Sequence, residues 1–198
     1  MKNSPKSAIV EAYRGRLIRI FTQETVLPNG KKLDFEFAER SPGVRVLVHT
    51  SSGLLLNREW REENKSYDMR LPGGKVFDTL LDYIAKRDIA EEQILQIARA
   101  AACRELLEET GLSVQESSCN FHNKSVCGAT VVWDLWYFSV EFDAEPHLRG
   151  QQISHEGEST APFWVTNSEA LELCLNGRVS EDRSAAFLFR HLLSVKKC

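Results

Sequence analysis

A short acidic segment near the middle of the chain constrains this protein more than any other feature. Residues 104–112 read Arg-Glu-Leu-Leu-Glu-Glu-Thr-Gly-Leu, and on an α-helix Glu105, Glu108 and Glu109 gather along one strip because their spacing is i, i+3, i+4. Like charges at this spacing repel by roughly 0.2–0.5 kcal/mol per pair, so a positive partner is expected. Carboxylate oxygens without Cys or His suit Mg²⁺ or Mn²⁺ and do not suit zinc. The segment therefore predicts a divalent-cation site on a helix.

This segment resembles the second half of the signature of the Nudix hydrolases, without a mismatch. In that family a Gly is followed by five residues, a Glu, seven residues and then Arg-Glu-aliphatic-x-Glu-Glu-x-Gly-aliphatic. Here a Pro-Gly-Gly turn at residues 71–75 supplies the Gly, but the spacer between its last glycine and Arg104 is sixteen residues longer than the family's. Counting back from Arg104, Gln96 stands where the family has its first Glu, and Glu91 or Glu92 is the candidate to replace it.

The rest of the chain predicts a mixed α/β fold with an N-terminal β-hairpin. Strand-like residues 16–27 and 32–39 flank the turn signal Pro28-Asn29-Gly30. The resemblance implies a Nudix-type α/β/α sandwich with a mixed sheet. We divide the chain into an N-terminal tail and hairpin, residues 1–40, and a hydrolase domain, residues 41–198. Further strands are predicted at 44–49, 54–61, 112–115, 129–142 and 162–165, and helices at 168–175 and 180–195.

The sixteen extra residues most simply form a helical insertion within residues 77–96. Apolar residues recur at helical spacing over 77–84, and Asp88-x-x-Glu91 has the form of a capping box that opens a second helix. We predict a short helix, a break, and a long helix over 89–110. The insertion either packs on the surface of the domain or caps the substrate cleft.

Composition argues against several classes of function. The formal net charge is −3, the pI is near 6.0, and no basic face appears, which argues against nucleic-acid binding. Five scattered cysteines without a Cys-x-x-Cys pair are typical of reduced thiols. No apolar run has the length of a signal core or a membrane span. We expect a cytoplasmic protein that binds neither nucleic acid nor membrane.

Three further segments resemble the branch of Nudix hydrolases that cleaves ADP-ribose and nucleoside diphosphate sugars. They are the hairpin before Pro42-Gly43, the segment Arg58-Glu59-Trp60-Arg61, and the pair Glu156 and Glu158 shortly before Trp164. The resemblance implies metal-dependent hydrolysis of the pyrophosphate bond of such a compound, giving a nucleoside monophosphate and a sugar phosphate. The alternative is a catalytically weak sensor of the same fold that binds a nucleotide sugar without cleaving it, which Gln96 supports.

The resemblance also implies which residues hold Mg²⁺ or Mn²⁺. The expected ligands are four carboxylates and one backbone carbonyl: Glu105, Glu108, Glu109, Glu158 and the carbonyl of Gly73. Glycines in the 71–75 turn permit the close backbone approach that a carbonyl ligand needs. Arg104 is expected to pair with Glu108 at i, i+4 and to orient it for catalysis.

The remaining site residues are expected to move protons or bind substrate. By resemblance, Glu156 is the general base, with His155 as an alternative because its unperturbed pKa is suitable. Arg58 and Arg61 are candidates to bind phosphate or the terminal sugar, since guanidinium groups match phosphate oxygens bidentately. Trp60 either stacks on the nucleobase or packs in the core.

The N-terminal hairpin, residues 16–39, is predicted to form a homodimer interface. A two-stranded unit is too small to be stable alone, so it packs on a partner copy or folds back on its own domain. Its apolar residues alternate with polar ones and would expose one face for association. They are Ile18, Ile20, Leu33, Phe35 and Phe37. In the branch that the chain resembles, this element crosses to the other subunit.

Overall fold

The computed structural model of the chain describes residues 9–62, 64–148, 152–153 and 159–195, which form two β-sheets and four α-helices. The strands are β1 (Ile9–Arg14), β2 (Ile18–Val26), β3 (Lys32–Arg40), β4 (Gly43–His49), β5 (Gly53–Arg61), β6 (Ser66–Arg70), β7 (Asn120–Ser125), β8 (Val131–Val132), β9 (Leu135–Glu141), β10 (Gln152–Ile153) and β11 (Ser159–Thr166). The helices are α1 (Leu80–Lys86), α2 (Glu91–Thr110), α3 (Asn167–Leu175) and α4 (Asp182–Val195). None of the described helices combines the length and the apolar character that crossing a membrane requires.

The smaller sheet contains the expected hairpin but extends it on both sides. β2 and β3 pair antiparallel around a turn in which Gly30 has a φ of 80°, a left-handed value that glycine adopts without strain. β1 pairs antiparallel with β2, and the short β8, from much later in the chain, pairs parallel with β3. In the described part of the chain, the hairpin is therefore the centre of a four-stranded sheet.

The larger sheet is the middle layer of an α/β/α sandwich. Its strand order is β10-β11-β5-β4-β9-β7, with β6 paired to β5, and the β4–β9 pair is parallel while the other pairs are antiparallel. Val44, Val46 and Val48 pack with α2 on one face, while Leu47 and Leu54 pack with α3 and α4 on the other. β4 is buried on both faces, and apart from Arg45 its residues between Gly43 and His49 are all apolar, as is typical of such a strand. The predicted mixed α/β sandwich is confirmed.

Several predicted boundaries are wrong. The single strand expected over 129–142 is interrupted at Trp133-Asp134, between β8 and β9, and residues 112–115 form no strand. α2 begins after Ala90 without a side-chain cap, so Asp88 does not cap it. A backbone-bonded turn after α1 connects the two helices. α3 has a capping box between Thr166 and Glu169, so it begins at Asn167, one residue before the predicted start.

The insertion connects the two sheets. Leu80 is fully buried in α1, and its N–H donates to the carbonyl of Arg16, in the turn between β1 and β2. After α1, Arg87 donates to Glu39 of β3 at 3.1 Å, and Arg19 of β2 donates to the same buried carboxylate at 2.5 Å. The insertion therefore packs against the N-terminal sheet. Its Asp78, however, also lines the cavity described below.

The register of the hairpin contradicts the expectation of one apolar face. Residues that pair across two strands point to the same side, and Ile18 pairs with Arg40 whereas Phe21 pairs with Phe37. Ile18 and Ile20 therefore lie on one face of the sheet, and the other three predicted residues, Leu33, Phe35 and Phe37, lie on the opposite face. The face of Ile18 carries most of the exposed apolar side chains of this sheet, and its other large members are Val10, Tyr13, Val26 and Val131.

Candidate active site

One cavity of about 450 Å³ collects charged side chains from segments far apart in the sequence. The acidic residues that line it are Glu59, Asp78, Glu105, Glu108 and Glu109. The basic residues that line it are Arg40, Arg45, Arg61, Arg70, Lys75 and Arg104. The 71–75 turn forms part of the wall, so the structure brings together the two halves of the sequence signature despite the insertion between them.

α2 presents its glutamates to this cavity because its other face is anchored in the core. Ala98, Ala102 and Leu106 are fully buried against the central sheet. The helix ends at Gly111, which has a φ of 78° and donates its N–H to the carbonyl of Leu107. Only glycine adopts this left-handed conformation without strain, so the end of the acidic strip is fixed by the sequence itself.

Glu109 is the most tightly held carboxylate of the strip. Its Oε2 accepts hydrogen bonds from the Gly73 N–H at 2.9 Å and from Nδ2 of Asn57 at 2.7 Å. Burial raises the pKa of Glu109 well above its usual value, and the negative charges of Glu105 and Glu59 raise it further, against the opposing effect of the Gly73 N–H. A carboxylate in this environment gains strongly from a nearby cation.

The turn at residues 71–75 approaches the site so closely that it requires glycine. Gly73 has a φ of 151°, and a Cβ there would lie 2.1 Å from the carbonyl oxygen of Val44. The carbonyls of Pro72 and Gly74 accept hydrogen bonds from β4, on either side of Gly73. Among the described residues no donor engages the Gly73 carbonyl, so this oxygen has the freedom that the predicted ligand role needs.

Arg104 contacts Glu105 more closely than Glu108. Its Nη2 donates to Glu105 at 2.7 Å and to the carbonyl of Lys75 at 2.9 Å, whereas its Nε lies 3.9 Å from Glu108. The predicted i, i+4 partner is therefore the weaker one, because the Lys75 carbonyl draws the guanidinium towards Glu105. Burial raises the pKa of Glu105, while Arg104 opposes that rise.

Most of the arginines in the cavity are already paired with carboxylates. Arg45 is buried and donates to Glu181 at 2.8 and 2.9 Å, and Arg70 donates to Asp68 at 2.8 Å. Arg40 differs, since among the described residues no carboxylate lies within ion-pair distance of it. Its guanidinium instead stacks 4.5 Å from the ring of Trp133, and Arg183 contacts the same ring at 4.4 Å. Burial lowers the pKa of Arg40, and the charge of Arg45 lowers it further.

The structure brings only one of the three predicted substrate-binding residues to the cavity. Asn57, Glu59 and Arg61 alternate along β5 on the cavity side, and Arg61 donates to Glu59 at 2.8 Å. Arg58 and Trp60 point to the other side of the strand, where both contact the ring of Tyr67. Trp60 is exposed and so does not pack in the core.

Sequence reasoning missed Glu59, Asn57, Arg40, Arg45 and Arg70. Glu59 and Asn57 could have been identified from the two-residue period of a strand, because they lie on the same side of β5 as Arg61, a predicted site residue. Nothing in the sequence identifies the other three. The predicted base Glu156, its alternative His155 and the predicted ligand Glu158 lie outside the described residues.

Gln96 and its proposed substitutes do not line the cavity. Gln96, Glu91 and Glu92 are exposed on α2, and Glu91 pairs with Lys124 at 2.6 Å. The carboxylate that joins the three glutamates of α2 in the cavity is Glu59, from β5.

Gln96→Glu is therefore expected to leave turnover unchanged and to alter the free energy of unfolding by no more than about 0.5 kcal/mol, as is usual for an exposed position. Steady-state assays and thermal unfolding beside Gln93→Glu, an exposed control on the same helix, would measure this. A rise in activity specific to Gln96→Glu would mean that its side chain reaches the cavity.

The donor chemistry of the cavity fits a hard divalent cation. Four glutamate side chains and the Gly73 carbonyl offer oxygen only, which suits Mg²⁺ or Mn²⁺. In the described part of the chain, no three acidic, histidine or cysteine side chains converge closely enough to hold an ion as they stand. Arg104 holds Glu105, and Asn57 with Gly73 holds Glu109. Binding would require Glu105 and the exposed Glu108 to change rotamer.

Comparison with known proteins is informative only at the level of the fold. No protein-family model and no curated protein sequence matches the chain. The chain is similar to a solved structure described as the crystal structure of an ADP compounds hydrolase, with a TM-score of 0.65 and 19% identity. The similarity covers 99% of this chain and 98% of the other, so it includes the N-terminal sheet. At this identity the likeness shows the fold, which is Nudix-like.

Proposed function

We propose that this protein is a hydrolase that cleaves the pyrophosphate bond of ADP-ribose or a nucleoside diphosphate sugar, with Mg²⁺ or Mn²⁺ as cofactor. The products would be a nucleoside monophosphate and a sugar phosphate. The observation that carries the proposal is the presence of both charge types in one cavity, four glutamates together with five arginines. The solved structure that shares this fold is described as an ADP compounds hydrolase, which is consistent with a substrate of this class.

Both charge types are needed for this substrate class. Guanidinium groups bind phosphate oxygens directly, whereas carboxylates repel them unless cations lie between. A cavity that bound a bare anion would have no use for Glu105, Glu108 and Glu109, and a cavity that bound a cation alone would have no use for the arginines. A pyrophosphate accompanied by divalent cations uses both.

Each residue has a distinct part in the proposed reaction. Divalent cations, when bound, neutralise phosphate oxygens and lower the pKa of the attacking water. The three glutamates of α2, the Gly73 carbonyl and Glu158 would hold them. Arg61 and the stacked Arg40 would bind the phosphates. Glu156 would take a proton from a water molecule while the oxygen of that water forms a bond to one phosphorus of the pyrophosphate. The bond from that phosphorus to the bridging oxygen then breaks, and the second phosphate leaves with the bridging oxygen.

A panel of nucleotide sugars, including ADP-ribose, tests the proposal. Incubation with the protein and Mg²⁺ is expected to release a nucleoside monophosphate from at least one member, and chelation of the metal is expected to abolish the release. Tight binding of a panel member without any product would favour the sensor and contradict the hydrolase.

We also propose that the protein is a homodimer and that the exposed face of the N-terminal sheet forms the interface. This face carries Val10, Tyr13, Ile18 and Ile20, which are 36–64% exposed. The same side of the sheet carries Arg40 into the cavity, so a second copy there would lie next to the site. Exposed apolar faces of this kind mark association sites.

Ile20→Glu is expected to convert the dimer to a monomer, because a charge at a buried apolar contact disfavours association. Light scattering at micromolar concentration would measure the mass, with Leu175→Glu, an exposed position on α3, as the control. A wild-type mass equal to the 22.5 kDa of one chain, with full activity, would contradict the dimer.

The cytoplasm is the compartment that we propose. Cys103, Cys119, Cys127 and Cys174 are free thiols. Burial raises the pKa of Cys119 to about 12 and that of Cys174 to about 11, so both remain protonated and unreactive at neutral pH. Free thiols of this kind suit a reducing environment.

A further inference from the structure

We infer that Asn57 is a positioning residue, which fixes Glu109 so that one oxygen of its carboxylate is directed to a divalent cation. The inference rests on the proposed function, because it concerns the same site. Asn57 is 2% exposed in β5, on the cavity side of the strand. Its Nδ2 donates to Oε2 of Glu109 at 2.7 Å, across 52 residues of sequence.

Two donors share a single oxygen of Glu109. The Gly73 N–H reaches the same Oε2 at 2.9 Å, from the turn whose carbonyl is a proposed ligand. With both donors on Oε2, the carboxylate cannot rotate about its last bond without losing two hydrogen bonds. Oε1 is then left for a positive partner. Asn57 and Gly73 thus link β5, α2 and the turn into one fixed arrangement around Glu109.

A purely structural role does not explain an asparagine here. Asparagine is disfavoured in strands, and Leu54, Leu55 and Leu56 precede it in β5. Its own Oδ1 is buried with no hydrogen-bond partner among the described residues, which destabilises the fold. An aliphatic side chain would fill the position without that penalty. The donor to Glu109 is the advantage that offsets it.

The choice of a neutral donor also follows from the proposed chemistry. A lysine or arginine at position 57 would neutralise Glu109 and so compete with the cation for its charge. The amide orients the carboxylate and leaves its charge available. Outer-shell groups that orient a metal ligand in this way are typically worth 10–100-fold in metal affinity.

Direct measurement of Mn²⁺ binding, without substrate, tests the inference. The electron paramagnetic resonance signal of free Mn²⁺ gives the Kd for wild type, for Asn57→Leu and for the smaller Asn57→Val, which strands favour. The Kd is expected to rise about 10–100-fold in both variants. Their metal-free thermal unfolding temperature is expected to stay close to that of wild type, because removal of the unpaired Oδ1 offsets loss of the hydrogen bond to Glu109. Asn123→Leu, on β7 outside the cavity, is the matched control and should bind as wild type does.

The outcomes separate this inference from the proposed function. A wild-type protein that binds Mn²⁺ and hydrolyses a nucleotide sugar, with variants of unchanged Kd, would overturn the role of Asn57 alone. A wild-type protein that neither binds Mn²⁺ nor hydrolyses the panel would overturn both. If Asn57→Leu does not fold, Asn57→Val decides by the same criterion. Weaker Mn²⁺ binding by a variant that unfolds at a lower temperature would indicate a structural role and overturn the inference.

Discussion

Glu109→Gln is expected to lower kcat about 10²–10³-fold, the range observed when one preorganised electrostatic group is removed from an active site. The metal-free fold is expected to be as stable as wild type or more stable. Glutamine keeps the shape of the side chain, and its oxygen can still accept from Gly73 and Asn57. A buried amide is less costly than a buried carboxylate that other carboxylates repel, as Glu105 and Glu59 repel Glu109.

The two expectations for Glu109→Gln are measured separately. Turnover is assayed at saturating Mg²⁺, and thermal unfolding is followed in the presence of a chelator. Glu92→Gln, on the exposed side of the same helix, is the control and should match wild type in both. Unchanged turnover of Glu109→Gln at saturating Mg²⁺ would refute its role as a ligand.

Glu181→Leu is expected to destabilise the protein by about 3–5 kcal/mol, the usual effect of leaving a buried charge without its partner. Glu181 and Arg45 are only 9% and 8% exposed, and two hydrogen bonds of 2.8 and 2.9 Å join them. Burial alone would raise the pKa of Glu181, but the charge and hydrogen bonds of Arg45 outweigh burial and hold that pKa at about 2.

The lowered pKa of Glu181 sets the direction of the pH dependence. Its folded pKa lies below the unfolded value, so the stability it contributes is present above about pH 4.5 and is lost as the pH falls towards 2. Wild type is expected to lose up to about 1.4 kcal/mol per pH unit from this group in that range. Glu181→Leu should lack this part of the acid sensitivity.

Chemical denaturation of a double variant tests whether the charge is the cause. Arg45→Met combined with Glu181→Leu removes both charges, and buried pairs replaced by apolar groups are often tolerated. The double variant is expected to recover most of the stability lost in Glu181→Leu. If the double variant loses as much stability as Arg45→Met and Glu181→Leu lose together, the ion pair does not account for the effect of Glu181→Leu.

The features that the sequence predicted are those set by local spacing. The i, i+3, i+4 pattern placed Glu105, Glu108 and Glu109 on one strip, and Gly111 ended the helix where predicted. Both predictions depend only on the geometry of a single helix, namely the direction of its side chains and the φ of the residue that ends it. The Pro28-Asn29-Gly30 turn likewise fixed the β2–β3 hairpin. The insertion was found because the spacer between the 71–75 turn and Arg104 is sixteen residues longer than in the Nudix signature, whose two parts lie together in the fold.

The features that the sequence did not predict depend on contacts between distant segments. Glu181 pairs with Arg45 across 136 residues, and Arg40 of β3 and Arg183 of α4 both contact the ring of Trp133. The face of the hairpin was also mistaken, because the partner of Ile18 is set by strand register and not by alternation along one strand. One feature of the site was available in the sequence and was overlooked. Side chains alternate between the two sides of a strand, so Glu59 shares the side of Arg61 in β5 and Trp60 lies on the other side.

Turnover in ¹⁸O-labelled water tests the central claim most directly. The panel compound that binds most tightly is incubated with the protein and Mg²⁺ in H₂¹⁸O, and the products are analysed by mass spectrometry. Hydrolysis of the pyrophosphate bond predicts one ¹⁸O atom in the phosphate of one product for each turnover. An ¹⁸O atom in a hydroxyl group of the sugar would mean that water attacked carbon, and this would contradict the claim. Recovery of the bound compound intact and unlabelled would also contradict it.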